Sequence, residues 1–272
     1  MDFPEVGPWT IHAQVRPPGA GAPEHSYTIP TLQISHYAGI CNKRLERIGI
    51  GGRLAAKKPT LEDIDQSRLQ IFRPSMFGGT LQEILDIQKE KFPNRRLPWI
   101  LTTLTDQILA LSGLSTEGIF RIPADFDEVT SVKCRFDQWE SSSPTDAHVP
   151  AALLKQWLRE LYIPLIPDAA TYADAIAVNE DITLAVALVM KLPELHRVIL
   201  TYLIRFLQMF TASEVVSVTK MDASNLSMVF APNFMRCPSK DPLTIMENTR
   251  KEMAFVKTLI SGLDTSSMEG VL

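Results

Sequence analysis

The stretch from Ile182 to Phe210 constrains the fold most. It is the most apolar part of the chain, yet Lys191, Pro193, Glu194, His196, Arg197 and Arg205 interrupt it. A helix that crosses a bilayer needs about 20 mostly apolar residues in a row, so the interruptions argue against a membrane span. The pattern predicts two buried helices instead, Asp181–Lys191 and Glu194–Thr211, joined at a proline turn. Helical spacing recurs on both sides of this pair. Leu81, Ile84, Leu85 and Ile87 follow Phe77, and Ile100, Leu104, Ile108 and Leu111 follow Pro98 and stop at Gly113. Val129, Val132, Phe136 and Trp139 share a face behind Asp125 or Asp127, either of which can cap a helix. Leu154, Trp157, Leu158 and Leu161 do the same within 150–161. Ser213 is a candidate cap for a short helix, and two more helical stretches are expected over Asp222–Arg236 and Asp241–Leu263. No window alternates with period two. The expected class is all-α, a multi-helix globular bundle.

The N-terminal part reads differently. Residues 1–30 are irregular, with Pro17, Pro18, Gly19, Gly21 and Pro23 in loop composition. A helical pattern runs from Thr31 through Ile48 and ends at Gly49, Gly51 and Gly52; Pro59-Thr60 then opens another helix. Arg73-Pro74 marks a boundary, so the chain divides into a short helical appendage over 1–75, a main domain over 76–265 and a flexible polar tail over 266–272.

Composition limits the function classes. Of 272 residues 45% are hydrophobic, enough for a sizeable core, and the net charge of −4 does not suit a global nucleic-acid binder. Cys41, Cys134 and Cys237 are far apart and odd in number, which fits a reducing compartment better than a disulfide framework or zinc site. With no apolar run at the N-terminus, the expected location is cytoplasmic.

The segment Glu117-Gly118-Ile119-Phe120-Arg121 is the candidate site. Gly118 permits a positive φ or a close approach, Ile119 and Phe120 are placed to plug into a core, and Pro123 blocks helix and extends Ile122. The outcome is a short pinned loop with an arginine at its tip, always charged and offering a planar five-donor fork. The plain reading is a surface arginine paired with a nearby carboxylate. Further along, Lys155 and Arg159 lie four apart on one helix face with no acidic neighbour at the helical spacings. Such a pair is solvated, paired to acids elsewhere, or free for an anionic partner. Pro232 is expected to break its helix and leave Asn233 exposed, where its amide can bond a partner; Asn225 lies inside the helix and suits a structural role. No phosphate-binding glycine loop, zinc-protease motif or nucleophile elbow occurs. His148 and His196 stand alone and read as structural. The combination favours charge supplied to another protein's reaction.

On these motifs residues 77 to about 265 resemble a RhoGAP domain. The matching pieces are "FGGTL", "EGIFR", "LLKQWLREL", "LPELHRVILTYLIRFL" and "NLSMVFAPN", in the family's order and spacing. Upstream, "HYAGICNKRLERI" and "KKPTLEDIDQSR" resemble the C-terminal end of a MyTH4 domain, and the two together are most similar to the Vilse (CrossGAP) type of Rho GTPase activator. The resemblance implies that the chain activates a Rho-family small GTPase in its GTP-bound form, of the Rac/Cdc42 class. Arg121 would be the inserted finger, with Lys155, Arg159, Asn233 and Asn225 at the family's partner-binding positions. It further implies that Lys155 contacts the GTPase and that Arg159 also steadies the loop. GTP and magnesium would belong to the partner, so no cofactor is expected here. Cytoskeletal partners of the MyTH4 remnant are a further expectation, and the alternative is a silent module that binds a GTPase or scaffold. The loop departs from the family by continuing Ile122-Pro123-Ala124 in place of a small polar residue and glycine, and Tyr162-Ile163 replaces Pro-Glu.

Overall fold

Six polar caps decide where most of the helices begin. The structure, a computed structural model, describes residues 76–268 and Gly270. The helical appendage, its MyTH4-like part and the boundary near 75 lie outside the described residues. Among the described residues there are ten α-helices and no strand, so the class is all-α. They are α1 (Leu81–Lys91), α2 (Trp99–Ala110), α3 (Phe126–Asp137), α4 (His148–Glu160), α5 (Ala169–Ala177), α6 (Ile182–Lys191), α7 (Glu194–Gln208), α8 (Ser213–Thr219), α9 (Ala223–Phe234) and α10 (Pro242–Gly262). Thr80 and Glu83 form a reciprocal capping box on α1. Asp125, Asp168, Asp181, Asp222 and Asp241 each accept a backbone N–H in the first turn of α3, α5, α6, α9 and α10. Of the two caps open for α3, Asp125 is the one used.

Helix α4 is the structural axis of the site. It packs against α2, α3 and α9, and its apolar side, Leu154, Trp157 and Leu158, is fully buried. The Trp157 indole N–H donates to the Met76 carbonyl at 2.9 Å. Two cations secure its C-terminal end, where four carbonyls lack helical partners. Lys133, on α3, pairs with Glu160 at 2.8 Å and lies 4.2 Å from the Phe77 ring centroid. Arg236 donates to the carbonyls of Arg159 at 2.7 Å, of Leu161 and of Tyr162 at 3.3 Å. α7 is the buried helix expected from the apolar stretch, with Thr105 and Tyr202 hydrogen-bonded at 2.7 Å across α2 and α7. Among the described residues no single helix is long and apolar enough to cross a membrane.

Several sequence expectations are corrected. Pro232 does not break α9, which continues through Phe234. The proline lies near the helix end and removes one ladder bond, to the carbonyl of the exposed Met228, where water can substitute. Asn233 is therefore turned inward, only 7% exposed, with its amide donating to the Val229 carbonyl at 2.7 Å. Ser213 does not cap α8; its hydroxyl is 3.3 Å from Glu214. Trp139 falls past the end of α3 in a left-handed conformation and stacks on Trp99. Just before the tail, Thr265 is buried and donates to Gln208 at 2.7 Å, and a 3₁₀ turn follows over Ser266–Met268. Helix α5 has no counterpart in the sequence reading.

One buried pair makes stability depend on pH. The Tyr172 hydroxyl donates to Glu252 at 2.6 Å, tying α5 to α10. Burial pushes the Glu252 carboxyl above its ordinary range, and the Tyr172 bond offsets part of that rise. The folded state thus holds this proton more tightly than the unfolded chain. Its stabilisation is complete below the unfolded carboxyl pKa and is lost as pH rises through the native value. Glu252→Gln keeps an acceptor and removes the charge, so it is expected to flatten that loss in urea midpoints taken from about pH 4 to 8. An unchanged pH profile would show that water reaches the carboxylate once it ionises.

Candidate functional site

The Arg121 loop begins where α2 ends. Leu111 caps α2, and Ser112, not Gly113, takes the left-handed conformation. Gly113 serves a different need, since a Cβ there would stand 2.5 Å from Ile108. After a single 3₁₀ turn the chain is held at Gly118, whose N–H donates to the Thr219 carbonyl at the end of α8 at 2.7 Å. The Gly118 carbonyl accepts from both Arg121 and Ile122 at 2.9 Å. Gly118 has φ +66°, and a Cβ there would stand 2.7 Å from Ile122 and 3.3 Å from the Arg121 guanidinium. Glycine is thus required by backbone and by space.

Ile119 and Phe120 are the expected anchors, and both are buried. The Phe120 ring meets Phe206, Phe210 and Phe230 edge-on at 6.1, 5.1 and 5.1 Å, a geometry that adds to the gain from burial. Phe120 also has φ +67°, a conformation that costs a non-glycine residue about 1–2 kcal/mol. Its carbonyl accepts from the Lys155 ammonium on α4. The aromatic box and this charged hydrogen bond hold the strained residue in place. Burial, and after it the nearby Arg159 charge, keep the Lys155 ammonium below the usual lysine range.

Of the two cations on α4 it is Lys155, and not Arg159, that is hydrogen-bonded to the loop. Lys155 is half-buried and steadies the loop, whereas the Arg159 side chain is exposed and only its carbonyl is engaged, by Arg236. Arg121 is exposed at the loop tip. Among the described residues no carboxylate pairs with Arg121, Lys155 or Arg159. Asn225 supports the loop indirectly: its amide donates to the Lys220 carbonyl at 2.9 Å, beside the Thr219 carbonyl that receives Gly118. Asn233 is buried, so its amide is not exposed to a partner. His196 Nδ1 lies 3.1 Å from the Leu165 carbonyl, in keeping with a structural histidine. Lys133 and Arg236 escaped the sequence reading, because nothing in a sequence marks a cation that will be used at a distant helix end.

Comparison with known proteins places the domain in a family. A sequence model of the RhoGAP domain matches residues 98–239. The GTPase activating protein homolog 2 of Dictyostelium discoideum is 40% identical over 192 residues, covering 70% of this chain and 21% of its own length. Rho GTPase-activating protein 24 of Mus musculus is 33% identical over 226 residues, covering 78% and 30% respectively. The matched region is 14–21% of the length of the three Dictyostelium relatives. The crystal structure of human Rho GTPase activating protein 15 superposes with a TM-score of 0.63 over 77% of this chain and 99% of that one, at 22% identity, a likeness of fold.

Proposed function

We propose that this chain, which belongs to the RhoGAP domain family, accelerates GTP hydrolysis by a Rho-family small GTPase of the Rac/Cdc42 class, in the cytoplasm, by inserting Arg121 into the partner's site. The observation that carries the reading is an arginine without a carboxylate partner among the described residues, on a loop pinned at Gly118, Phe120 and Thr219. Phosphoryl transfer gathers negative charge on the equatorial oxygens and the leaving oxygen. A preorganised guanidinium neutralises that charge without reorganising at the moment of reaction. Arginines supplied in this way contribute about 10³–10⁵ in rate, or roughly 4–7 kcal/mol of barrier. The partner supplies nucleotide, magnesium and attacking water. Lys155 fixes the loop, and the exposed Arg159 offers a charge to the GTPase surface beside it. Asn225 and Asn233 complete the partner-binding face by shaping it from behind. The names of the relatives support the activity, and the resemblance to the Vilse type supports the choice of GTPase class.

The test is single-turnover GTP hydrolysis by a panel of Rho-family GTPases with and without the full chain. Acceleration of at least one Rac- or Cdc42-type member is expected. Binding to the GTP-bound form without acceleration would favour the silent-module reading, and neither would remove the function.

A further inference from the structure

Phe126 is the most exposed of the large apolar side chains among the described residues, at 79%. Single exposed apolar residues are ordinary, so exposure alone decides nothing. Its position does. Phe126 is the first residue of α3, five residues after Arg121, and no ring contact holds it among the described residues. The first turn of a helix asks for acids and a cap; Asp125, Asp127 and Glu128 supply them. Nothing in the helix or the core asks for a phenylalanine between them.

The intervening chain is not free to swing. Arg121 and Ile122 both donate to the Gly118 carbonyl, Ala124 packs against the core, and Asp125 takes the Glu128 N–H at 2.8 Å. Five residues span at most about 17 Å. An interface of ordinary size, about 800 Å² on each partner, is a patch with a radius of roughly 16 Å. A partner that receives Arg121 near the middle of such a patch is therefore within reach of Phe126 as well. Ile122, between the two in sequence, adds a second exposed apolar side chain, at 40%.

We infer that Phe126 is an apolar anchor that enters a pocket on the GTPase next to its nucleotide site, and that this contact sets which GTPase the chain prefers. The inference rests on the reading of Arg121 given above. The neighbouring charges state what the pocket must look like. Asp125 and Asp127 flank Phe126 in sequence and are both exposed, so the pocket that fits is apolar and rimmed by lysine or arginine. Arg121 and Arg159, both exposed, fit acidic groups and phosphate, with Glu117 the exposed acid of the same loop. A footprint of two signs orients the encounter and penalises partners with the reverse pattern.

The experiment compares the full chain with its Phe126→Ala, Phe126→Leu and Asp127→Lys variants. It reads the Kd for each GTPase loaded with a non-hydrolysable GTP analogue, and the KM and saturating rate of hydrolysis. Phe126→Ala is expected to raise Kd and KM by about 10–30-fold for the preferred GTPase, with the saturating rate and the urea midpoint unchanged. Its loss is expected to be smaller for poor partners, so preference narrows. Phe126→Leu, still apolar, retains most of the affinity, and Asp127→Lys slows association most at low salt. Unchanged Kd across the panel in Phe126→Ala overturns the anchor. Binding without acceleration by the unaltered chain overturns the function above and leaves the anchor to be judged on Kd alone. Binding to no GTPase overturns both.

Discussion

Arg121→Ala is expected to lower the acceleration of GTP hydrolysis by about 10³-fold or more while leaving affinity for the GTP-bound partner within a few-fold. The two effects separate because the charge that Arg121 meets exists only as the phosphoryl group transfers. An interaction made only in the transition state appears in the rate and not in ground-state binding. The side chain is also a small part of any interface, where affinity resides in buried anchors and the contacts around them. Folding is expected to be unaffected, because the loop is held by Ile119, Phe120 and the backbone bonds of Gly118, none of which involves the guanidinium. Arg121→Lys is expected to recover little, since an ammonium is a point donor without the planar fork. Single-turnover rates at saturating activator, together with Kd for each variant, make the comparison. Full activity in Arg121→Ala would remove the finger assignment and leave a binding module. A drop in the urea midpoint would make the arginine structural.

The arginine loop was legible in the sequence because its constraints are local. A glycine, two apolar anchors and a proline within seven residues leave the backbone few choices, and the structure shows the glycine and the two anchors acting as their chemistry requires. The Asp125 cap of α3 was legible for the same reason. What lay beyond the sequence depends on distance or on small energy differences. The left-handed Phe120 is invisible because a phenylalanine gives no sign of positive φ; only the three rings around it and Lys155 make that conformation the favourable one. Asn233 was misplaced because a proline one turn from a helix end costs a single exposed bond, too little to stop the helix. Helix α5 was missed because it buries only Tyr172 and Ala175, a stripe too thin to detect, although Asp168 caps it. Periodicity put Lys155 and Arg159 on one face but could not say which is nearer the loop. One helical turn, about 5.4 Å, separates a strut from a surface charge.

That difference yields the second large effect. Lys155→Met is expected to reduce the saturating hydrolysis rate by about 10–100-fold, because misplacing a catalytic group by about 1 Å costs up to about 10²-fold. Methionine keeps most of the buried aliphatic stem but cannot donate. The Phe120 carbonyl then loses its charged donor, a loss of about 1–3 kcal/mol when a buried acceptor is left unmatched. The left-handed backbone at Phe120, no longer held from α4, can relax toward conformations that suit its side chain better, and the Arg121 guanidinium moves with it. Three readouts distinguish a strut from an interface cation. Amide exchange at Gly118–Ile122 should speed up in Lys155→Met and not in Arg159→Ala, whose side chain makes no hydrogen bond to the loop among the described residues. Arg159→Ala should raise KM and its salt dependence while sparing the saturating rate. In an Arg121→Ala background Lys155→Met should lose most of its effect on rate, because a support for an absent group has nothing left to position. If Lys155→Met instead changed only Kd, with loop exchange unaltered and a full effect in the Arg121→Ala background, Lys155 would be a contact to the GTPase and the loop would depend on its aromatic box alone.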